Sequence, residues 1–409
     1  MLAAQRSYVV AIAIFLVVVT LSFYVFRDES TLVVQRLTKP PHEPSSKPTL
    51  RDTVHTLFAP MKHDPSASAY IDPSGTYYAA GNETVWTKPL GNKILIVDID
   101  TRVPTGENEI LNPERLDWES LKTAGGGLVS NAIINHYLYA MVHGYDYKFY
   151  QARDMKDHHN TWILPHVLRE LIPDYQFVIV MDADATIPHF DVPFEWMFNR
   201  WGIKKHTSMA LPWDTEEIRS EGSISQDSKG LLVLNTGLVI AQNSSETLDL
   251  LEAWRDCTTE TRYKGCARWK YEWSHEQRAF SEYIRYDFNN TPETIVSIPC
   301  DDAVGWPNFR EDMLHQPGNR NQDISDCNGN FVRHYTTGKN RVKDGSAASV
   351  MQILSEALQR SILADQQELW YKEPKKIIEE PVQEDQPTEV RVDEESKPDA
   401  DVVLIEREA

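Results

Sequence analysis

The chain has few cysteines and no excess of positive charge. Its 409 residues include four cysteines, and no two of them stand in the CxxC spacing typical of zinc sites. The formal net charge is −20, whereas nucleic-acid binding requires a basic surface, so we exclude nucleic acid as a partner. Apolar residues are not lacking: at 41% of the chain they suffice for a sizeable core and exclude disorder throughout.

The four cysteines all lie in the C-terminal half of the chain. Their proximity in the sequence predicts two disulfide bonds, Cys257–Cys266 and Cys300–Cys327, in an oxidising compartment.

One long apolar run lies near the N-terminus. Residues 8–26 contain no polar side chains other than Tyr, Thr and Ser, and at ~1.5 Å per residue they cross most of a ~30 Å hydrocarbon layer. The run exceeds the ~7–15 apolar residues of a cleaved signal peptide, and no small-x-small cleavage site follows it. We therefore expect a transmembrane signal anchor at 8–26, behind a short cytosolic segment at 1–7.

The anchor predicts a single-pass type II protein. Arg6 and the amino terminus precede the apolar run, which favours a cytosolic N-terminus, and the segment before the run is too short to form a domain. The rest of the chain would then lie in the lumen of the secretory pathway. Three Asn-x-Ser/Thr glycosylation sequons, at Asn82, Asn243 and Asn289, agree with this placement.

Composition divides the remainder into three parts. Residues 27–92 carry many prolines and little apolar periodicity, so we expect a stem or linker there. Residues 93–371 carry the periodic apolar patterns of a folded domain. Residues 372–409 have 13 acidic and 6 basic side chains and no pattern able to bury a face, which predicts a disordered acidic tail.

The folded part opens with alternating strand and helix patterns. Strands are predicted at Lys93–Asp100, Tyr147–Tyr150 and Phe177–Met181, and helices at Leu128–His143 and Trp162–Ile172. Such alternation predicts an α/β domain of the nucleotide-binding type, with a mostly parallel, Rossmann-like sheet and helices on both faces.

Two carboxylates follow the third of these strands. Asp182 and Asp184 come directly after the apolar run Phe177–Met181 and are separated by one alanine. In an open α/β sheet ligands bind at the carboxyl ends of the strands, and residues i and i+2 point the same way. Paired carboxylates bind a hard divalent cation that also holds phosphate oxygens. A solvated turn after a strand is the alternative.

A second acidic pair ends the first strand. Asp98 and Asp100 superficially match the hhhhDxDxT nucleophile motif of haloacid-dehalogenase phosphatases, but Arg102 stands where that motif has threonine. A phosphatase is therefore a competing hypothesis. Otherwise either aspartate is expected at the nucleotide-base edge of the first β/α turn or at a solvated strand end.

Several segments, taken in order, resemble retaining GT-A glycosyltransferases of glycosyltransferase family 34, the galactosyl-, mannosyl- and xylosyltransferase group. The matching segments span roughly residues 93–343 and are His143–Tyr147, Trp162–Pro165, Pro173-Asp174, Val180–Ala185, Leu234–Gly237, Leu250–Trp254, Glu276-Gln277 and Val332–Tyr335. The chain has Gln242-Asn243 where the family usually has an arginine-asparagine pair, so we expect a divergent subfamily. The anchor and stem also resemble the usual Golgi layout of such enzymes.

The resemblance implies a GT-A fold, a nucleotide-sugar donor with UDP-galactose as the leading candidate, and Mn²⁺ or another divalent cation. It assigns the metal to Asp182, Asp184 and His334, and the diphosphate to a later cation, Lys339 or Arg341. For the donor sugar, Asn235, Thr236 and Gly237 supply a tight turn that a ligand can approach closely. A ligand-free β-bulge is equally compatible with this turn.

The resemblance also places an acid and an amide, here Glu276 and Gln277, beside the anomeric carbon or the acceptor. At the start of a helix they could instead complement the helix N-terminus. Asp301, Asp302 and Trp306 form a polar-aromatic cluster of the kind that binds sugars, so they are candidates for the acceptor site.

We therefore predict a metal-dependent glycosyltransferase of the Golgi membrane, with a lumenal catalytic domain. It would move a hexose or pentose to a glycan or glycoprotein acceptor with retention of configuration. The main alternative is an inactive relative that acts as a lumenal binding or assembly subunit of a transferase complex. Homo- or hetero-oligomers with other transferases are left open.

Overall fold

The computed structural model describes residues 47–289, 291–315 and 323–373. The predicted cytosolic segment, transmembrane anchor and nearly all of the acidic tail lie outside these residues. In the described ranges, no helix combines the length and hydropathy that a membrane-spanning segment needs. The chain divides into two compact units, Met1–Ser361 and Ile362–Ala409.

A six-stranded sheet organises the first unit. Its members are β3 (Ile94–Asp100), β4 (Asp146–Gln151), β5 (Phe177–Met181), β7 (Met209–Pro212), β10 (Leu238–Gln242) and β11 (Ile295–Ile298), in the order β11-β7-β10-β5-β3-β4. β3 is parallel to β4 and β5, and β7 is parallel to β11. β10 is antiparallel to both β5 and β7. The prediction of a mostly parallel sheet is therefore confirmed, with β10 as its reversed strand.

Short strands lie outside this sheet. They are β1 (Ala69–Ile71), β2 (Tyr77–Ala79), β6 (Ala185–Thr186), β8 (Glu217–Arg219), β9 (Gly222–Ser223), β12 (Asp323–Ile324) and β13 (Arg333–His334). β6 pairs with β13, and this pair matters for the candidate site.

The α-helices of the described residues are Leu50–Phe58, Gly126–His143, Ile163–Leu171, Phe194–Trp201, Ser245–Arg255, His275–Ala279, Arg285–Asp287, Cys300–Ala303, Phe309–Leu314, Val342–Ala364 and Gln366–Leu369. A π-helical turn, Phe280–Ile284, continues His275–Ala279. The helices predicted from apolar spacing occur within a few residues of their expected bounds. Gly144 ends its helix in the left-handed conformation, and Ser244 caps the helix that follows it, as their residue types predict.

Helices cover both faces of the sheet because strand residues alternate. Ile94 and Ile96 face one core cluster, which includes side chains of Gly126–His143 and Phe194–Trp201. Leu95 and Val97 face the other, with side chains of Ile163–Leu171 and Ser245–Arg255. Burial on both faces explains why β5 and residues 94–97 of β3 are continuous apolar runs.

The stem predicted over 27–92 is wrong for residues 50–92. Leu50–Phe58 is a helix whose start is fixed by a capping box between Thr49 and Asp52. Its residues Val54 and Phe58 are buried in the first core cluster, and so is Trp86, whose Nε1 donates to the Ile203 carbonyl at 2.8 Å. The folded part thus begins well before residue 93. The prolines obscured a short amphipathic pattern.

Candidate metal centre

The two carboxylates after β5 lie at the edge where the parallel strands end. The backbone N–H of Asp182 donates to the Gly237 carbonyl, and that of Ala185 donates to the Asp182 carbonyl, both at 2.9 Å. These bonds form a tight turn that presents both acids. The side chain of Asp182 is half exposed, whereas that of Asp184 is 9% exposed.

His334 reaches the same turn through β13. His334 pairs with Ala185 across the β6–β13 ladder, and the Tyr335 N–H donates to the Asp184 carbonyl at 2.9 Å. The imidazole Nε2 lies 3.3 Å from Asp184 Oδ1 and 3.6 Å from Asp182 Oδ2. One donor atom from each of these three residues lies within 4.8 Å of the other two.

This donor set fits a divalent cation. Two carboxylates and one neutral imidazole supply oxygen and nitrogen ligands, which suit Mn²⁺ and similar ions. Asp182 and Asp184 both face the imidazole of His334, so two negative charges converge on one small space. The three predicted metal ligands are therefore brought together.

Lys339 places a positive charge beside the carboxylate of Asp184. Its Nζ lies 3.0 Å from Asp184 Oδ2, and its side chain is half exposed. Burial alone would raise the pKa of Asp184, but the charges of His334 and Lys339 outweigh it and hold that pKa below its usual range. Burial would lower the pKa of His334, and Asp184 outweighs that effect and raises it. Arg341 instead pairs with Asp312 at 2.8 Å.

The turn Asn235–Gly237 lies beside the acids because β10 starts opposite the end of β5, where Leu238 pairs with Met181. The Gly237 N–H donates to Asn235 Oδ1 at 2.8 Å. A Cβ on Gly237 would lie 2.1 Å from His334 Cε1, so the histidine ring occupies the space that only glycine leaves. Position 237 thus requires glycine, because the His334 ring lies too close for any side chain.

Glu276 and Gln277 contact the same turn. Gln277 Oε1 accepts from the Thr236 N–H at 2.9 Å, and Thr236 Oγ1 donates to Glu276 Oε1 at 3.1 Å. Glu276 is buried, and its Oε2 has no hydrogen-bond partner among the described residues. Burial raises the pKa of Glu276 to about 7. The catalytic role assigned to this pair stays a prediction.

Glu276→Gln is expected to flatten the pH dependence of stability. The folded-state pKa is raised from 4.5 to about 7, so the wild-type carboxyl destabilises the fold increasingly as pH rises through that window. At pH values above this window, the free energy of unfolding is lower by roughly 3 kcal/mol. The neutral amide does not titrate. Urea unfolding in EDTA at about pH 5 and about pH 8 measures the change, and parallel pH dependences of wild type and variant would contradict it.

The sequence analysis missed Asp214. Gln277 Nε2 donates to its Oδ2 at 3.0 Å and Asn235 Nδ2 to its Oδ1 at 3.1 Å, so it holds together the two motifs that flank the metal ligands. Asp214 follows β7 two residues after its end, at the same sheet edge as Asp182. The signal was therefore present in the sequence: a carboxylate two residues beyond the apolar run Met209–Pro212.

Asp98 does not lie at a solvated strand end. It is buried, with Oδ1 2.7 Å from His136 Nδ1 and Oδ2 accepting from Tyr147 at 2.5 Å. The other ring nitrogen of His136 lies 3.1 Å from the Ala185 carbonyl oxygen. Through this contact, the Asp98–His136 pair supports the turn that carries Asp182 and Asp184. Asp100 binds the Arg102 side chain. A buried, fully bonded Asp98 does not suit a phosphatase nucleophile.

The acceptor cluster predicted at Asp301, Asp302 and Trp306 is corrected. Asp302 is 2% exposed and accepts from Arg200 at 2.7 and 3.0 Å and from Trp201 at 2.9 Å. Asp301 accepts from the side chains of two asparagines that follow the second disulfide. Trp306 is 2% exposed and stacks on Tyr335. The two carboxylates and the ring are thus each engaged by other residues of the fold, rather than forming one open sugar-binding cluster.

Asp302→Asn is expected to lower the free energy of unfolding by about 2–4 kcal/mol, because it leaves the largely buried Arg200 without its ion-pair partner. Denaturant titration measures the loss. Asp323→Asn is the matched control, since it removes an exposed partner of Arg310 and should cost under about 1 kcal/mol. An unchanged stability together with a raised KM for an acceptor would restore the acceptor role.

The remaining predicted positions are placed as follows. The structure has the disulfide bonds Cys257–Cys266 and Cys300–Cys327, with Cα–Cα distances of 5.8 and 5.4 Å. The sequon residues Asn82, Asn243 and Asn289 are all exposed.

Comparisons with known proteins give structural likenesses only. No protein-family model matches the chain, and no curated protein matches it. Among solved structures, it is similar to a glycosyltransferase involved in glycosylation of the major capsid of PBCV-1, at 11% identity and TM-score 0.38, over 62% of this chain and 98% of that chain.

Two further structures are mouse xyloside xylosyltransferase 1 and the galactosyltransferase LgtC with donor and acceptor sugar analogues. The first shares 12% identity over 60% of this chain and 98% of its own, with a TM-score of 0.32. The second shares 13% identity over 62% and 95%, with a TM-score of 0.30. With TM-scores below 0.5, these likenesses do not by themselves establish a shared function.

Proposed function

We propose that this protein is a metal-dependent glycosyltransferase that moves a hexose or pentose from a nucleotide-sugar to a glycan acceptor, with retention of anomeric configuration. One observation carries the proposal: Asp182, Asp184 and His334 converge on one point at the carboxyl edge of the sheet, with the Lys339 ammonium beside them. A convergent cation site at this edge suits a nucleoside diphosphate.

A bound divalent cation, Mn²⁺ being the leading candidate, would neutralise charge that develops on the departing diphosphate. Asp182 and Asp184 hold the ion, and His334 contributes a third ligand. Lys339 is half exposed, and its ammonium pairs with Asp184. It can therefore turn toward a phosphate oxygen without leaving the site, which supports its role in binding the diphosphate.

Glu276 and Gln277 are proposed to face the transferred sugar. The uncommitted Oε2 of Glu276 is a buried acceptor that a sugar hydroxyl or a developing positive charge would satisfy. Thr236 bonds both residues and so fixes their positions relative to the metal ligands. In this mechanism a departing phosphate oxygen takes the acceptor proton, and the carboxylate of Glu276 stabilises charge on the sugar rather than acting as a strong base.

The proposal includes a lumenal location in the Golgi, behind the predicted anchor. Two disulfide bonds support an oxidising compartment. UDP-galactose remains the leading donor, and a glycan or glycoprotein the acceptor.

Calorimetric titration of the full chain with UDP-galactose, GDP-mannose and UDP-xylose tests the function. One donor is expected to bind in Mn²⁺ and to lose measurable binding in EDTA. Proton NMR of the product should show the anomeric configuration of the donor. Binding of no donor in Mn²⁺, or equal binding in EDTA, would contradict the proposal, and an inverted product would contradict retention alone.

A further inference from the structure

Trp273 is the most exposed tryptophan of the described residues, with 84% of its surface in contact with solvent. It lies in the segment that leads into His275–Ala279, the helix that carries Glu276 and Gln277. Tyr271, two residues earlier, is 64% exposed. Large aromatic side chains are usually buried, so two exposed rings within the five residues before Glu276 indicate a binding surface.

The Trp273 ring is connected to the site by a row of rings. Its centroid lies 5.7 Å from that of His275, at an interplanar angle of 77°. His275 in turn stacks on His159, with centroids 3.7 Å apart and planes within 14°. The edge contact with His275 orients the tryptophan and leaves ring surface open to solvent. Burial lowers the pKa of both histidines, which favours their neutral forms.

The inner end of this row reaches Glu276. His159 Nδ1 lies 3.0 Å from Thr161 Oγ1, and the Thr161 side chain acts to lower the pKa of the Glu276 carboxyl. Trp273 thus lies three residues before Glu276 and contacts His275, the residue that directly precedes the carboxyl proposed to face the transferred sugar. Trp273 borders the Glu276 side of the site.

Charged side chains around this surface are already paired. Glu272 binds Arg268 at 2.8 Å, and Lys270 lies 3.4 Å from Asp157. A ligand on Trp273 thus meets a flat apolar face and balanced charges, which suits the C–H face of an uncharged sugar ring better than a phosphate or a carboxylate.

We propose that Trp273 forms the acceptor subsite, where it stacks against the acceptor sugar. The inference rests on the proposed function, since it names the surface that takes the second substrate. It also replaces the acceptor cluster that the sequence suggested and the structure excludes. Trp273 is a binding residue for the acceptor and takes no part in donor binding.

The test measures binding of the acceptor sugar itself and does not depend on catalytic activity. Saturation-transfer NMR is carried out with the full chain and the methyl glycosides of mannose, galactose, glucose and xylose. At least one glycoside is expected to bind, with its strongest signals from protons of one ring face. Trp273→Ala should weaken binding about tenfold or more, while Trp273→Phe should stay within about threefold. Trp370→Ala is the matched control, because Trp370 is also exposed at 59%.

Three results would contradict the proposed acceptor subsite. The first is that no glycoside binds the wild type, and the second is that Trp273→Ala binds as tightly as wild type. The third is that the wild type, but not Trp273→Ala, adheres to phosphatidylcholine vesicles while glycoside binding is unchanged. Trp273 would then contact a membrane rather than a sugar. Glycoside binding without any donor hydrolysis in the wild type would contradict the proposed function and leave the sugar subsite supported.

Discussion

Asp184→Asn should lower kcat/KM for Mn²⁺-dependent hydrolysis of the nucleotide-sugar by about 10³-fold or more. The substitution keeps the size of the side chain and removes the charge on which His334 and Lys339 converge. The proposed metal ligand and the ion-pair partner of Lys339 are lost together. Rates at saturating Mn²⁺, with the donor identified by calorimetry, measure the effect.

Asp323→Asn is the control for the loss of one carboxylate, because Asp323 is exposed and pairs with Arg310. Its activity should equal that of the wild type. Near-ultraviolet circular dichroism should show that Asp184→Asn remains folded. Wild-type hydrolysis by folded Asp184→Asn would remove the basis for a metal-dependent transferase.

Gly237→Ala should weaken Mn²⁺ binding and lower activity by about 100-fold each. The added Cβ would lie 2.1 Å from His334 Cε1 and 2.4 Å from Nδ1, far inside contact distance. His334 is held by the β6–β13 ladder, so its ring must turn away from Asp182 and Asp184. Isothermal titration with Mn²⁺ and UDP measures the loss of affinity.

Gly230→Ala separates this effect from general strain. Gly230 has a φ of +85° and open space around its Cβ position, so alanine costs stability without touching the site. We expect a lower melting temperature and unchanged Mn²⁺ affinity in that variant. Unchanged Mn²⁺ affinity in Gly237→Ala would mean that His334 is not a ligand.

The acidic turn was predictable because its signal is local. A strand buried on both faces must be apolar, so the first charged residues after Met181 mark its end and the edge of the sheet. The same reasoning applied to Pro212 would have found Asp214. The position of His334 came from the family resemblance, because the contact depends on the pairing of two short strands far apart in sequence.

The acceptor cluster was wrong for a physical reason. Acidic and aromatic residues close together in sequence serve equally for a sugar site or a buried ion pair, and only the partner distinguishes them. For Asp302 the partner is Arg200, a hundred residues away. The extent of the fold was misjudged similarly, because the prolines between residues 50 and 92 hid the amphipathic helix that contains Val54 and Phe58.

Pulsed EPR of the full chain, loaded with Mn²⁺ and UDP, tests most directly whether one cation bridges these side chains and a diphosphate. We expect two couplings on the same ion: ¹⁴N from the imidazole of His334 and ³¹P from UDP. His334→Gln should lose the ¹⁴N coupling and keep the ³¹P coupling. A wild-type spectrum that lacks either coupling would contradict the proposed metal centre.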